Sequence, residues 1–183
     1  MKNIQEDILD FWFKETQPQQ WFQKNEEFDN LVRERFLEVY EMARKGHLDD
    51  WKKDADGCLA LCLLLDQFPR NMFRGQPQSF ASDGQALLIA KYAISKGFDQ
   101  VLQPVKRRFI YLPFMHSESM TDQKRSLELF EKMKQDDPLS HEYALRHYKL
   151  IEEYGRFPHR NSILDRESTP EEEEYLSKPG AGF

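Results

Sequence analysis

The segment Cys58-Leu59-Ala60-Leu61-Cys62-Leu63-Leu64-Leu65-Asp66-Gln67-Phe68-Pro69-Arg70-Asn71 is the most apolar stretch of the chain. Its leucines and Phe68 recur at helical spacing, and apolar residues also cover most of the remaining circumference. A helix that is apolar on most sides is typical of the centre of a helical bundle. The apolar stretch is too short for this helix to span a bilayer, because charged residues follow it closely. The stretch predicts a buried central helix, which should end at Phe68 because Pro69 cannot continue the hydrogen-bond ladder.

Helical spacing of apolar residues continues on both sides of this stretch, and no convincing alternating strand appears. Glycines predict where three helices end, and serine or threonine residues predict where four begin. The predicted ends are Gly46, Gly97 and Gly155, and the predicted starts are Ser82, Ser119, Ser140 and Thr169. Pro104 should open one more helix, which Pro113 should break. The fold class is all-α, and the short connections predict antiparallel helical hairpins.

Composition limits the size of the fold and the class of partner. The chain has 183 residues, 13% aromatic residues and a net charge of -6, which suits one domain over residues 1–183. The acidic residues concentrate in a tail, 165–183, where Thr169-Pro170-Glu171-Glu172 predicts a short helix. We expect this tail to be peripheral, with Tyr175 and Leu176 as its only apolar anchors. Lys106-Arg107-Arg108 is short and isolated, so no nucleic-acid partner is expected.

Two further signals concern the compartment and the cysteines. The N-terminus carries acidic residues where a secretory signal would be basic and then apolar, so a cytoplasmic protein without a membrane partner is expected. Cys58 and Cys62 lie one helical turn apart on the apolar helix and are interpreted as small buried hydrophobic residues. They lack further ligands at the spacing of a zinc site. We therefore expect no metal and no cofactor.

Three segments share one pattern, in which an apolar element meets a proline next to phenylalanine and then Arg, His or Glu. They are Asp66-Gln67-Phe68-Pro69-Arg70-Asn71, Tyr111-Leu112-Pro113-Phe114-Met115-His116-Ser117-Glu118 and Gly155-Arg156-Phe157-Pro158-His159-Arg160-Asn161. We predict that the three segments lie on one side of the protein and form one site.

The first segment supplies Asp66 and Arg70, and Arg74 follows four residues later. An arginine near the end of a helix can bond the last carbonyls and interact favourably with the helix dipole. A guanidinium group can equally bind a carboxylate or phosphate ligand. The sequence leaves the structural and the ligand-binding interpretation open.

The second segment supplies His116 and Glu118, two residues apart, which could exchange protons with a substrate. A polar loop that enters the next helix is the alternative. His147 belongs to the inward face of a later helix, together with Ala144 and Ile151. It is therefore either a hydrogen-bonded core histidine or a further catalytic candidate.

The third segment supplies His159 as a catalytic candidate, and Arg156, Arg160 and Asn161 as candidate ligand-binding residues. A metal site would need several of the histidines and acids to meet. No His-Glu-x-x-His pattern requires this, so no metal ligand is predicted.

The motifs at 63–71, 111–118 and 155–161 resemble those of a widespread bacterial family, the domain of unknown function nine hundred and twenty-four. Residues 8–13 and 168–172 fit the same family, so the resemblance runs nearly from end to end. It implies a tetratricopeptide-like fold, in which antiparallel hairpins form a right-handed superhelix, and it implies no activity. Met115 stands where an acidic residue is expected, which weakens any mechanism that needs a second carboxylate there.

Two hypotheses of function follow. In the first, the protein binds a small anionic molecule through the arginines, and the histidines or Glu118 transfer protons. In the second, it is an interaction module whose concave helical surface binds a peptide, without catalysis. The arginines and histidines near helix ends favour the first, and the tetratricopeptide-like fold favours the second only by analogy. The oligomeric state is not predicted.

Overall fold

A computed structural model describes residues 3–182, and these residues form helices and connecting turns without any strand. The all-α prediction is confirmed. The α-helices are α1 (Ile4–Asp10), α2 (Glu26–Arg44), α3 (Ala55–Cys62), α4 (Phe68–Met72), α5 (Asp83–Ser95), α6 (Phe98–Val101), α7 (Pro104–Met115), α8 (Met120–Lys132), α9 (Pro138–Tyr154) and α10 (Pro170–Leu176). Within the described residues, no helix is long and apolar enough to cross a membrane.

The chain divides into two compact units, which we describe separately. Unit 1 comprises residues 3–74 and 78–113, and unit 2 comprises residues 75–77 and 114–182. The boundary at 113/114 falls within α7. One domain over residues 1–183 and a right-handed superhelix both stay predictions.

The predicted central helix forms the core of unit 1, but it does not end at Phe68. A π-helical turn, Leu63–Gln67, joins α3 directly to α4, so the helical path continues through Pro69. A proline at this position leaves the carbonyl of Leu65 without its usual α-helical donor. The Ser82 hydroxyl donates to that carbonyl instead, at 2.6 Å. The break predicted at Pro69 is therefore wrong, because a π turn and a distant serine accommodate the proline.

Pro113 likewise lies inside a helix, since α7 runs from Pro104 to Met115. The break predicted there is wrong, whereas Pro104 opens the helix as predicted. A proline close to a helix end disturbs few hydrogen bonds beyond it.

The helix ends follow the glycine pattern, but the helix starts follow the serine pattern only in part. Gly46, Gly97 and Gly155 follow or cap the ends of helices with φ of +78°, +71° and +69°. Thr169 forms the predicted capping box of α10 with Glu172. The predicted side-chain caps at the other three starts are wrong: Ser82 binds Leu65 instead, Ser119 makes no side-chain cap, and Asp137 rather than Ser140 caps α9.

Unit 2 is built on the hairpin of α8 and α9, which pack against each other after a short turn. Leu150, Ile151 and Phe157 form an apolar cluster within it, and Tyr154 and Tyr175 pack against this cluster. Because Tyr175 lies on α10, the acidic tail is joined to the same core.

Candidate functional site in unit 2

The second and third sequence motifs lie in the same unit. His116, Glu118, Arg156, His159, Arg160 and Asn161 belong to unit 2, together with His147 on α9. Asp66, Arg70 and Arg74 of the first motif belong to unit 1. Convergence of all three motifs stays a prediction, whereas the contacts below join the second motif to the third.

Phe157 is the centre of the candidate site. Gly155 reverses the chain after α9, Phe157 is extended, and a 3₁₀ turn at Pro158–Arg160 follows at once. The Phe157 ring is fully buried, and the rings of His147 and His159 lie 5.4 and 5.6 Å from it between centroids. The Arg160 guanidinium lies 4.6 Å above the same ring. One buried phenylalanine therefore holds two histidines and an arginine around it.

His116 joins this group from the end of α7. Its ring lies 6.2 Å from that of His147, and its main-chain carbonyl accepts a hydrogen bond of 3.0 Å from Arg160 Nη2. Three predicted catalytic histidines and one predicted anion-binding arginine thus form one cluster, which we call the histidine cluster: His116, His147, His159 and Arg160.

His147 is neutral in this environment. Burial lowers its pKa well below the usual range, and the neighbouring His116 and Arg160 lower it further. Its Nδ1 lies 2.8 Å from the carbonyl oxygen of Tyr143, one turn earlier on α9. A carbonyl can only accept, so Nδ1 carries the proton and Nε2 is left as an acceptor. His147 is therefore both a hydrogen-bonded core histidine and a member of the cluster.

His159 is neutral as well. Burial lowers its pKa to about 4, and the positive charge of Arg160 acts in the same direction, against the opposing effect of Glu118. The last described residue, Gly182, is buried against this ring: a Cβ atom there would lie 3.4 Å from the Cβ of His159. The tail therefore covers part of the His159 ring.

Glu118 holds the two motifs together. Its Oε1 accepts from the main-chain N–H of Phe157 at 2.7 Å, and Arg166 binds both carboxylate oxygens at 2.8 and 3.0 Å. Burial alone would raise the pKa of Glu118, but these bonds outweigh it and the pKa lies below the usual range. An ionised carboxylate with these bonds positions the Phe157 backbone. Its contacts give no support to a role as proton donor.

The sequence reasoning missed Arg166, and a turn explains how it reaches Glu118. Asp165 has a φ of +53°, in the left-handed region, and the Arg166 N–H donates to the Asn161 carbonyl at 2.9 Å. Asx residues adopt this conformation more readily than most others. The turn directs Arg166 back to Glu118, but no local pattern in the acidic tail indicates this pairing.

A second network fixes the tail, which is not held by apolar anchors alone as the sequence predicted. Glu172 is 2% exposed, and Arg156 binds its two carboxylate oxygens at 2.7 Å each. Asn161 donates to the same carboxylate at 3.1 Å, and Thr169 N does so at 2.8 Å. The hydrogen bonds of Arg156 are the main cause that lowers the pKa of Glu172 to about 2. We therefore expect deletion of residues 169–183 to destabilise unit 2, because it removes the Glu172 carboxylate from Arg156 and Asn161.

In unit 1 the two candidate arginines are bound by carboxylates. Arg70 donates to both oxygens of Asp83 at 2.8 and 2.9 Å, and also lies 3.2 Å from the buried carboxylate of Asp66. Arg74 binds both oxygens of Asp29 at 2.6 and 2.8 Å. Planar two-bond pairs of this kind are strong and geometrically specific. The contacts of Asp66, Arg70 and Arg74 favour the structural interpretation that the sequence left open.

Within residues 3–182, no group of three or more His, Cys, Asp or Glu side chains is arranged to hold a metal ion. Cys58 and Cys62 are buried thiols, and burial raises the pKa of each. In the histidine cluster, burial lowers the pKa of His159 to about 4 and the pKa of His147 well below its usual range, so both rings are neutral at pH 7. The chemistry open to it is hydrogen bonding, electrostatic attraction of anions by Arg160, and proton transfer at imidazole nitrogens.

Comparison with known proteins shows the family but no activity. The model of a bacterial family described as protein of unknown function (DUF924) matches residues 8–180, so the chain belongs to that family. A solved structure, of the protein of unknown function ATU0120 from Agrobacterium tumefaciens, is 44% identical, covers 95% of this chain and 97% of its own, and superposes with a TM-score of 0.90. The comparison with curated proteins found no match.

Proposed function

We propose that this member of the DUF924 family binds a small anionic ligand, a carboxylate or a phosphate, at the histidine cluster of unit 2. The observation that carries the proposal is the convergence of His147, His159 and the Arg160 guanidinium around the buried Phe157 ring, with the His116 ring beside that of His147. His116 comes from the second motif, His159 and Arg160 come from the third, and His147 comes from α9. The bond from Phe157 N–H to Glu118 joins the two motifs across 39 residues of sequence.

Arg160 supplies the attraction for an anion. Its side chain is nearly buried, and a charge interacts more strongly where water is excluded. The His116 carbonyl accepts a hydrogen bond from Arg160 Nη2, and the guanidinium group lies over the Phe157 ring, so both contacts fix its orientation. A guanidinium fixed in this way loses little conformational freedom when it binds a ligand.

The neutral histidines add hydrogen bonds and a route for protons. A neutral imidazole can donate from one nitrogen and accept at the other. An anion beside His147 and His159 favours their protonated forms, so each ring becomes a better proton acceptor when ligand is bound. We propose general acid–base chemistry at these histidines as the reaction that the cluster can support. The peptide-binding alternative stays a prediction.

The proposal gives the other candidates a structural role. Arg156, Asn161 and Glu118 hold the segments that carry the cluster, through Glu172 and Arg166. Asp66, Arg70 and Arg74 stabilise unit 1. None of these six is part of the ligand-binding group that we propose.

Arg160→Met tests the proposal, because methionine keeps much of the volume over Phe157 but removes the charge. Titration calorimetry with formate, acetate and inorganic phosphate should detect binding to the parent protein. A hydrogen bond to a charged group contributes about 1.5–3 kcal/mol, so the variant should bind about tenfold to a hundredfold more weakly.

Arg74→Met is the matched control, since Arg74 is a partly exposed arginine held by Asp29 in unit 1. It should leave anion binding unchanged. Equal affinity of the parent and of Arg160→Met, or no binding of any of the three anions by a folded parent, would contradict the proposal.

A further inference from the structure

Gln123 and Ser126 form a polar pair on the inner face of α8, and both residues are 0% exposed. The Gln123 Nε2 group donates to the carbonyls of Met115 and Ser117, each at 2.7 Å. Since carbonyl oxygens only accept, the opposite orientation of the carboxamide is excluded. Gln123 Oε1 therefore faces away from these carbonyls.

Neither Gln123 Oε1 nor Ser126 Oγ has a hydrogen-bond partner within residues 3–182. Buried polar atoms are nearly always bonded, and one without a protein partner indicates a water or another polar group from outside the chain. The two residues are three positions apart on one helix, so their side chains are neighbours. One polar group placed between them could bond to both.

This pair lies next to the histidine cluster. Gln123 binds the carbonyls on either side of His116, while the carbonyl of His116 itself accepts from Arg160. The helix that packs against α8 is α9, which carries His147. The same short segment, 115–117, is thus held by Gln123 of the polar pair and by the arginine of the cluster.

We infer that the ligand of the histidine cluster carries a hydroxyl or ammonium group beside its anionic group, and that Gln123 Oε1 and Ser126 Oγ bind this second group. The inference rests on the proposed function and narrows its ligand class. Gln123 Oε1 is an acceptor only, so it needs a donor, whereas the serine hydroxyl can donate or accept. Hydroxy acids, amino acids and phosphate esters with a free hydroxyl meet both conditions. Simple carboxylates and inorganic phosphate leave Oε1 without a bond.

Matched anions that differ by one group test the inference. Titration calorimetry would compare propionate with lactate and alanine, and inorganic phosphate with glycerol 3-phosphate. In at least one series the member with the added donor should bind about tenfold more tightly. Ser126→Ala should reduce that preference to less than threefold. Alanine suits a helix interior, and the melting temperature would verify that the variant is folded.

Ser177→Ala is the control, because Ser177 is an exposed serine of the same unit whose hydroxyl donates to the Glu174 carbonyl at 2.7 Å. It should keep the preference. If anions bind but the added donor brings no gain in either series, or if the gain survives in Ser126→Ala, the inference is wrong while the proposed function stands. If no anion of either series binds, both are wrong. A crystal structure of the complex in which a water still bridges Gln123 and Ser126 would also overturn the inference.

Discussion

His147 and His159 are two neutral bases beside a fixed positive charge, and this combination makes ligand binding depend on pH. Burial is the largest cause of the lowered pKa of each ring, and Arg160 lowers both further. An anion bound beside them opposes the effect of Arg160. The pKa of each histidine should therefore rise when an anion binds. In the free protein both rings are neutral near pH 7.

Binding of an anion at the cluster should take up protons. We expect the affinity for formate to increase as the pH falls from 7 to about 5, where formate is still ionised and His159 of the free protein, with a pKa of about 4, is still neutral. Calorimetry at pH 6 in two buffers with different ionisation enthalpies measures the number of protons bound. His159→Asn should reduce this number. An uptake of zero in the parent, with clear binding, would contradict the role given to the histidines.

At the scale of residues, the sequence indicated the members of the candidate site but not which partners they have. His116, His159 and Arg160 were recognisable because they follow Pro-Phe or Phe-Pro in two motifs, and His147 because it lies on the inward face of a helix. Arg70 and Arg160 follow equivalent Phe-Pro pairs, yet Asp83 binds Arg70 whereas the His116 carbonyl binds Arg160. These partners are distant in sequence, so no local spacing could distinguish a structural arginine from a candidate ligand-binding one.

At the scale of elements, prolines were poor predictors of where a helix breaks, whereas glycines predicted the helix ends. Pro69 and Pro113 both lie within helical paths. A proline lacks the N–H that would bond the carbonyl four residues earlier, and this costs less where another donor reaches that carbonyl. At Pro69, Ser82 donates to the Leu65 carbonyl, which is 17 residues away from it in sequence. Gly155, by contrast, requires only its own backbone freedom to end α9.

The segment after α10 is an element whose importance the sequence understated. Gly182 lies against His159, and its N–H donates to the Tyr175 hydroxyl at 3.0 Å. Gly180 has a similar positive φ, +77° against +85°, but a Cβ atom there would meet nothing within 4 Å. The two glycines therefore differ in their contact with His159 and not in backbone strain.

This difference leads to a matched experiment. A chain that ends at Leu176 should expose the His159 ring, and its pKa should rise from about 4 towards the ordinary 6.5 because burial is the main cause of the shift. Gly182→Ala adds a methyl group in van der Waals contact with the His159 side chain, so it should not raise this pKa, and Gly180→Ala should leave it unchanged. Histidine proton NMR as a function of pH measures all three. An unchanged pKa in the truncated chain would mean that other residues bury the ring.

At the scale of the whole molecule, the histidines and glutamates with lowered pKa values, His147, His159, Glu118 and Glu172, lie in unit 2. The pKa values of His147 and His159 are lowered in the folded protein. In the unfolded chain both histidines take up protons as the pH falls below about 6.5. In the folded protein His159 takes up its proton only near pH 4. Glu172, with a pKa of about 2, stays ionised in the folded protein while the unfolded chain protonates below 4.5. In each case the unfolded state binds more protons as the pH falls, so stability decreases from about pH 6.5 downwards.

All three tryptophans, Trp12, Trp21 and Trp51, lie in unit 1, which allows the one-domain prediction to be tested with this acid response. Tryptophan fluorescence reports on unit 1 alone, whereas far-ultraviolet circular dichroism reports on the helices of both units.

If residues 1–183 form one cooperative domain, protonation in unit 2 unfolds unit 1 as well, and the two signals change at the same pH and the same urea concentration. We expect this coincidence, with a urea midpoint that is lower at pH 4.5 than at pH 7. Loss of helix at a urea concentration that leaves the fluorescence unchanged would show instead that unit 2 unfolds by itself.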